Sequence, residues 1–371
     1  MKVLFWSEAF APAIGGAEVW GARFVRTLTE RDHEVRVLTG NDPNDDDRCR
    51  VEDGPTPVCR FPFWESLAGA DRARVFAIRE AVAGFKRAFR PDVVHLSSLG
   101  PSVFYHLVTR EAWPAPTLVT IHGWIRHRPS PGTLLWRVLT QADWVVGVSH
   151  AVLRETAAIA PIVPARSSVV HHGIEWAEAT PVPIEPPTLL CVGRLVRVKG
   201  FDVAVAAMPA LRQLVPAARL VVAGEGPEAA PLRAQARRLG VDDCVEFMGP
   251  VSPAGVPALL NHASLVLVPS RAEAFGLVAL EAAAMGRPVI AARVGGLVEV
   301  VEPERTGVLV EPDQPAQLVE AVVRLLSDPA RLLAMGQEAR SRARTVFPWK
   351  ACVDAYLDHY ASLKRRRGHA G

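Results

Sequence analysis

Short apolar runs alternate with longer amphipathic stretches along almost the whole chain, and this alternation constrains the fold more than any other feature. A continuous apolar run suits a strand that is covered on both faces, and the amphipathic stretches between the runs suit the covering helices. Strands that alternate with helices are typical of βαβ units and therefore of parallel sheets. We predict an α/β fold.

The first half of the chain supplies the first set of elements. The predicted strands are Val3–Trp6, Glu34–Leu38, Val93–Leu96, Thr117–Ile121, Val145–Val148 and Val169–His171. The predicted helices are Ala17–Glu30, Asp71–Phe89 and Pro131–Gln141. The acidic stretch Asn41–Asp53 and its surroundings are predicted to be an irregular loop.

A proline-rich segment then interrupts the alternation. Four prolines between Trp176 and Pro187 exclude a helix or an interior strand and predict a stiff linker. After it the alternation restarts, with strands predicted at Leu189–Val192, Leu220–Ala223, Val245–Met248, Leu265–Val268, Val289–Ala291 and Val308–Val310. A chain of 371 residues also exceeds the usual size of one core. We predict two doubly wound domains, with residues in the loops after strands carrying the chemistry.

Composition excludes several classes of protein. The formal net charge of +3 supplies no global field for nucleic acid. The five cysteines are scattered and lack a Cys-x-x-Cys spacing, which favours a reducing compartment and gives no zinc signature. The apolar run at the start is too short for a signal peptide, and no stretch is long enough for a membrane span. We therefore expect a cytoplasmic protein.

Two acids frame a predicted helix start in the second half. Glu273 lies in the loop after the strand Leu265–Val268, and Glu281 lies one to two turns into the helix that begins near Leu277. The N–H groups of Phe275, Gly276, Leu277 and Val278 at this helix start can bind an anion. A phosphate bound there would lie between the two carboxylates, each of which can accept hydrogen bonds from hydroxyl groups. This arrangement would fit a ligand in which a diphosphate links a sugar to a ribose. Taken alone, two such acids are more often merely a loop charge and a solvated helix charge.

Two cations follow the strand Leu189–Val192. Arg194 and Lys199 lie between this strand end and the next helix, where phosphates are commonly bound. In transfer from a sugar nucleotide the leaving group is a diphosphate, so these cations would stabilise the charge that develops on it. Basic residues that only decorate a loop are the alternative.

Two elements of the first half complete the candidate set. Gly15 and Gly16 follow the first strand and would permit a close backbone approach or a positive φ. They do not form a Gly-x-Gly-x-x-Gly fingerprint, so a nicotinamide-dependent dehydrogenase is disfavoured. His122 follows the strand Thr117–Ile121, where a ligand is expected, although a lone histidine is more often structural.

Together these residues resemble the retaining glycosyltransferases of GT-B architecture, specifically family 4 (group 1). The most specific match is Glu273-x7-Glu281 within Ser270–Leu277, followed by Gly286–Ile290 and by Gly295 with Gly296. The segments Gly193–Gly200 and Gly15–Glu18 and the residue His122 extend the resemblance over nearly the whole chain.

The resemblance implies two doubly wound Rossmann-like parallel-sheet domains that face each other across a cleft. We expect an N-terminal, acceptor-side domain at residues 1–176 and a nucleotide-sugar-binding domain at 177–347. A C-terminal helix at about 348–365 is expected to pack back on the first domain. Because the two domains supply different groups, donor binding is expected to draw them together about the linker.

The resemblance also assigns roles to residues. Arg194 and Lys199 would bind the donor diphosphate, Glu281 the ribose hydroxyls and Glu273 the hydroxyls of the transferred sugar, and His122 would contact that sugar near the reacting carbon. The remaining donor-binding candidates are Gly15, Gly16, Val251 (at the base), Ala274, Phe275, Gly276 and Leu277. No metal and no other cofactor is expected, because the cations and helix end would replace a metal.

The predicted function is the transfer of a hexose from a UDP- or GDP-sugar to an acceptor hydroxyl with retention at the anomeric carbon, in glycan, glycolipid or polysaccharide biosynthesis. The acceptor (a glycan, a lipid-linked sugar or a small molecule) stays open, and no nucleic acid is expected as a partner. The alternatives are a sugar-nucleotide epimerase of the same architecture and a catalytically silent sugar-nucleotide-binding protein. The basic end Lys364–Arg367 leaves open a peripheral contact with the inner face of a membrane, against a solvated tail.

Overall fold

A computed structural model describes residues 1–13, 15–41, 50–52, 54–69, 71–125, 130–161, 163–175 and 185–368. The chain divides into two compact units, one of Met1–His171 with Cys352–Gly371 and the other of His172–Ala351. Most of the predicted linker Trp176–Pro187 and most of the acidic stretch Asn41–Asp53 lie outside the described residues.

The first unit is built on an eight-stranded sheet. Its strands are β1 (Lys2–Ser7), β2 (Glu34–Gly40), β3 (Arg50–Glu52), β4 (Val58–Phe61), β5 (Val93–Leu96), β6 (Thr117–Ile121), β7 (Trp144–Gly147) and β8 (Ser167–Val169). Its helices are α1 (Gly16–Glu30), α2 (Phe63–Ala68), α3 (Arg72–Phe89), α4 (Val103–Val108), α5 (Leu134–Gln141) and α6 (His150–Ile159). The strand order is β3-β4-β2-β1-β5-β6-β7-β8, and every pair is parallel except β3 with β4.

The second unit is built on a six-stranded, fully parallel sheet. Its strands are β9 (Thr188–Val192), β10 (Arg219–Ala223), β11 (Val245–Gly249), β12 (Leu265–Val268), β13 (Val289–Ala292) and β14 (Gly307–Val310). Its helices are α7 (Phe201–Leu214), α8 (Ala229–Arg238), α9 (Val256–Asn261), α10 (Leu277–Ala284), α11 (Leu297–Val300), α12 (Pro315–Leu326) and α13 (Pro329–Val346). The strand order is β11-β10-β9-β12-β13-β14.

The final helix, α14 (Trp349–Gly368), begins in the second unit and continues from Cys352 in the first. Its Tyr356 and Tyr360 are completely buried there. The Tyr360 hydroxyl lies 2.6 Å from His95 Nδ1, and His95 Nε2 lies 2.8 Å from Thr120 Oγ1. Burial lowers the pKa of His95 well below its usual value, so this neutral ring links α14 to β5 and β6.

The prediction of two parallel-sheet α/β units is confirmed, and the reason lies in the burial of the strands. The β12 strand Leu265–Val268 is buried at all four positions, as its uninterrupted apolar sequence indicates. In the second unit Leu189, Val222 and Leu267 belong to one apolar core between the sheet and its helices. Complete burial of such a side chain contributes about 1.5–3 kcal/mol.

The region around the acidic stretch was predicted incorrectly as loop, because it contains β3 and β4. Strand β4 is buried at all four positions and pairs with β2. Its apolar run is interrupted by Arg60, so its sequence lacks the uninterrupted apolar pattern of a buried strand. The structure accommodates this cation through Glu52 of β3, whose Oε1 lies 2.6 Å from Arg60 Nε.

Candidate functional site

The central feature of the second unit is the point between β9 and β12 where the strand order reverses. Leu189 of β9 is in register with Leu265 of β12. In open parallel sheets a ligand binds beyond the carboxyl ends of the two strands at such a switch point. The loops that leave β9 and β12 carry Lys199 and Glu273, so both predicted residues lie where a ligand is expected.

Lys199 and Glu273 form an ion pair in this place. Lys199 Nζ lies 2.7 Å from Glu273 Oε2, and the two side chains are 24% and 14% exposed. The hydroxyl of Ser270, which is completely buried, donates to the same carboxylate oxygen at 3.1 Å. Two donors therefore hold one oxygen of Glu273 and orient its other oxygen.

The loop that carries Lys199 is pressed against the loop that carries Glu273. Residues Arg197–Lys199 form a 3₁₀ turn that ends at Gly200, whose φ is +67°. A Cβ atom on Gly200 would lie 1.9 Å from the carbonyl oxygen of Pro269, so only glycine permits this backbone approach. Arg271 N–H donates to the Val198 carbonyl at 2.8 Å, which joins the two loops a second time.

Arg194 follows β9 directly and is exposed. Among the residues that the structure describes, its guanidinium group has no hydrogen-bond or ion-pair partner. The loop itself is anchored by its backbone, since Leu195 N–H donates to the Glu225 carbonyl at 2.7 Å and Glu228 N–H donates to the Leu195 carbonyl at 2.9 Å. Arg194 is thus an exposed cation on a backbone that is anchored by hydrogen bonds.

Helix α10 begins immediately after the Glu273 loop. Its N-cap is Gly276, and its first hydrogen bond runs from Leu280 N–H to the Gly276 carbonyl at 3.1 Å. By helix geometry, the amides before Leu280 have no acceptor within the helix. Leu277 and Glu281 are one turn apart on the same face, and both are half-buried.

Phe275 presents its backbone and not its ring to this helix start. The ring is buried against His172 and Phe347, at centroid distances of 5.2 Å and 5.8 Å. A Cβ atom on Gly296 would lie 2.4 Å from the Ala274 carbonyl oxygen, so the glycine pair of the next loop packs directly under residues 274 and 275. Val251 lies after β11, two strands away from β9.

The first unit also gathers polar groups at its own switch point, between β1 and β5. His122 Nε2 lies 3.1 Å from Ser97 Oγ, and its ring lies 4.8 Å from the ring of Trp20. Burial lowers the pKa of His122 to about 3, so the ring is neutral. Gly16 opens α1, and Gly15 is extended with a φ of −172°. The positive φ considered for this glycine pair is therefore wrong at Gly15, because its backbone is one that any residue adopts.

Sequence reasoning missed four polar residues beside these sites. In the first unit, Glu8 follows β1 and accepts from Ser102 N–H at 2.9 Å and Ser102 Oγ at 2.5 Å. Burial nevertheless raises its pKa. In the second unit, Ser270, Arg271 and Asp202 surround Lys199 and Glu273. Two of them could have been found by their spacing from the predicted residues. Asp202 lies three positions after Lys199, and Ser270 lies three positions before Glu273.

Among the described helices, none combines the length and the apolar character that crossing a bilayer requires.

Two family models match the chain. Residues 174–342 match the model described as "Glycosyl transferases group 1", and residues 14–177 match "Glycosyltransferase Family 4". The glycogen synthase of Mycobacterium tuberculosis is 31% identical, over 98% of this chain and 95% of that protein. A D-inositol 3-phosphate glycosyltransferase of Acidothermus cellulolyticus is 32% identical, over 95% of this chain and 87% of that protein.

Solved structures share the fold over nearly the full length. Sucrose-phosphate synthase from Thermosynechococcus elongatus has a TM-score of 0.83 at 25% identity and covers 98% of both chains. Anabaena HepE in complex with UDP-glucose has a TM-score of 0.79 at 19% identity, over 98% of this chain and all of that one.

Proposed function

Because this chain belongs to the family 4 (group 1) glycosyltransferases, we propose that it transfers a hexose from a nucleoside diphosphate sugar to an acceptor hydroxyl, with retention at the anomeric carbon. The observation that carries the proposal is the pairing of Lys199 with Glu273 at the switch point of the second sheet, 2.7 Å apart. Arg194 and the start of α10 lie on the loops of the same two strands.

Each of these groups has a role in the proposed reaction. Lys199 and Arg194 bind the two phosphates of the donor, and the amides at the start of α10 supply further donors to the same anion. Glu273 accepts hydrogen bonds from the sugar through the oxygen that Lys199 does not occupy. Glu281, one turn into α10, accepts from the ribose hydroxyls. Gly15, Gly16, His122 and Val251 stay predictions for the same reaction.

The chemical step breaks the bond between the anomeric carbon and the phosphate oxygen and forms a bond from that carbon to the acceptor oxygen. The acceptor's proton passes to the departing phosphate, and the electron pair of the broken bond stays on the diphosphate. Cations held at the diphosphate stabilise the negative charge that develops there, which lowers the barrier. This role needs no metal ion, and we propose that the enzyme works without one.

Donor screening provides the first test. UDP-, GDP- and ADP-glucose are added separately, and the thermal unfolding midpoint is measured. A matched donor raises the midpoint by mass action, since it binds the folded state only. Glycogen and D-inositol 3-phosphate, which the names of the relatives suggest, are then offered as acceptors. Proton NMR of the product determines its anomeric configuration.

The variants Lys199→Ala and Arg194→Ala test the assignment of the cations. Each is expected to lower turnover by about 100-fold or more, since removal of one charge-stabilising donor costs about 3–4 kcal/mol in comparable sites. The exposed Arg305, in the same unit but paired with Glu302 and Glu338, provides the control as Arg305→Ala. Parental turnover in both test variants would refute the diphosphate assignment, and an inverted product would refute retention.

A further inference from the structure

We propose that Arg271 is a positioning residue that holds the Lys199 turn and the Glu273 loop at the separation needed for donor binding. The inference rests on the proposed function. Arg271 itself contacts neither the donor nor the acceptor in this assignment. It acts through the backbone carbonyl groups that precede Lys199 and through the carboxylate of Asp202 that follows it.

The guanidinium group of Arg271 makes a set of short contacts. Nη1 lies 2.9 Å from Asp202 Oδ1 and Nη2 lies 2.7 Å from Asp202 Oδ2, which is a bidentate pair. Nη2 also lies 2.6 Å from Asp313 Oδ1, and Nη1 donates to the Arg197 carbonyl at 2.6 Å. The planar fork of arginine matches a carboxylate in this geometry, which a lysine cannot reproduce.

These contacts surround Lys199 in the sequence. The guanidinium group of Arg271 binds the Arg197 carbonyl, before Lys199, and the Asp202 carboxylate, after Lys199. The backbone N–H of Arg271 donates to the Val198 carbonyl. Arg271 is itself only two positions from Glu273. One side chain therefore ties the turn that presents the Lys199 ammonium to the loop that presents the Glu273 carboxylate.

The charges around Arg271 argue against direct anion binding. One guanidinium group faces two carboxylates, Asp202 and Asp313, so the cluster repels phosphate. Burial opposes ionisation of Asp202, but its hydrogen bonds and charge interaction with Arg271 outweigh burial and lower its pKa. The bidentate pair is thus ionised at neutral pH, and the guanidinium is already committed to its partners.

The cluster is also exposed enough that folding does not depend on it. The side chains of Arg271, Asp202 and Asp313 are 23%, 38% and 54% exposed. Ion pairs with this degree of solvent contact contribute little to the stability of a fold. Variants at Arg271 and Asp202 are therefore expected to fold, and their effect is expected on turnover.

The experiment measures kcat and KM for Arg271→Ala, Arg271→Lys and Asp202→Asn with the donor identified by screening. Displacement of a catalytic group by about 1 Å can cost about 100-fold in rate, so we expect Arg271→Ala and Asp202→Asn to lower kcat by about 10- to 100-fold. Arg271→Lys should recover a part of this loss, since it keeps the charge but not the fork. Circular dichroism and the unfolding midpoint verify that each variant folds.

A double variant separates positioning from an independent effect. If Arg271 acts through Lys199, Arg271→Ala should cost less than about threefold when added to Lys199→Ala, because the effects of residues that act as a unit are not additive. The matched control is Arg324→Ala, which removes another bidentate pair of the same unit, from Arg324 Nη1 and Nη2 to Glu304 at 2.8 Å each. It should leave kcat unchanged.

Three results would overturn the inference, and they differ from one another. Parental kcat in Arg271→Ala together with an inactive Lys199→Ala would overturn the positioning role alone. Losses that multiply in the double variant would show that Arg271 acts independently of Lys199. Parental kcat in Lys199→Ala would instead remove Lys199 from the proposed donor site, and the positioning role would be overturned with it.

Discussion

Lys199 Nζ and Glu273 Oε2 lie 2.7 Å apart, although the two residues are separated by 74 positions in the chain. The pair joins the loops of two adjacent parallel strands, β9 and β12, and so places opposite charges at the switch point of one sheet. A lysine that is already oriented by a carboxylate loses less side-chain entropy when a diphosphate binds. The pair is therefore a prearranged part of the proposed donor site.

Glu273→Gln tests the carboxylate while it keeps the shape of the side chain. The variant is expected to lower kcat/KM about 10- to 100-fold, because hydrogen bonds to a charged group contribute about 1.5–3 kcal/mol. Ser270→Ala removes a neutral donor to the same oxygen and should cost less. Steady-state kinetics on both variants provide the measurement. A Glu273→Gln enzyme as active as the parent would remove Glu273 from the site.

Gly200→Ala tests the contact between the two loops. The new methyl group would overlap the Pro269 carbonyl, whereas the matched variant Gly240→Ala has a similar φ of +64° and no atom within 4 Å of the new methyl. We expect Gly240→Ala to cost about 1–2 kcal/mol through its backbone conformation. Gly200→Ala should cost about 1–3 kcal/mol more through steric overlap.

Urea unfolding of the two glycine variants measures these differences, and turnover of Gly200→Ala should fall with the displaced Lys199 turn. Equal destabilisation by the two substitutions would show that the close approach at Gly200 is not required.

Lys86→Met concerns a buried cation of the first unit. Lys86 is 1% exposed, and its Nζ donates to the carbonyl groups of His106 and Thr109 at 3.3 Å and 3.5 Å. Burial, with a smaller contribution from Arg110, lowers its pKa to about 7. Between pH 7 and about 10 the unfolded chain binds more protons at this site, so stability should rise with pH in this window.

The Lys86→Met variant should lose this pH dependence. At pH 7 its free energy of unfolding should exceed that of the parent by about 1–4 kcal/mol. Guanidinium unfolding at several pH values measures both effects. Lys364→Met, at a half-exposed lysine in α14, is the control and should keep the parental slope. The same slope in Lys86→Met and the parent would contradict the lowered pKa.

The ring of His122 is expected to stay neutral across the physiological range. Burial lowers its pKa to about 3, so the folded protein takes up a proton here only in strong acid. The unfolded chain takes it up near pH 6.5, and this residue should therefore reduce stability progressively as the pH falls from 6.5 towards 3. NMR of the imidazole, assigned with His122→Gln, measures the titration. A midpoint between pH 6 and 7 would refute the neutral ring.

Removal of divalent metal is expected to leave turnover within about twofold of the untreated enzyme. The physical reason is that, in the proposed site, Arg194, Lys199 and the start of α10 would supply the charge stabilisation for which other transferases use a metal ion. The measurement is turnover after exhaustive dialysis against EDTA, followed by addition of magnesium or manganese. Complete loss that either ion restores would show that the diphosphate site was misassigned.

The sequence by itself determined most of the strands, because an uninterrupted apolar run is stable only where it is buried on both faces. Val93–Leu96, Thr117–Ile121 and Leu265–Val268 have the predicted bounds. Strand β4 escaped prediction, since Arg60 breaks its apolar run and is paired with Glu52 of another strand. The candidate residues Lys199 and Glu273 were also identified from sequence, through their positions after strands and the family resemblance.

Only the tertiary structure decided how those residues are held. No local sequence pattern predicts that Ser270 and Lys199 both donate to one oxygen of Glu273, or that Arg271 pairs with Asp202 and Asp313. The Lys199–Glu273 and Arg271–Asp202 contacts join residues that are 74 and 69 positions apart, and the adjacency of β9 and β12 in the sheet brings their loops together. Burial of His122 and Lys86 likewise follows from packing, and packing sets their pKa values.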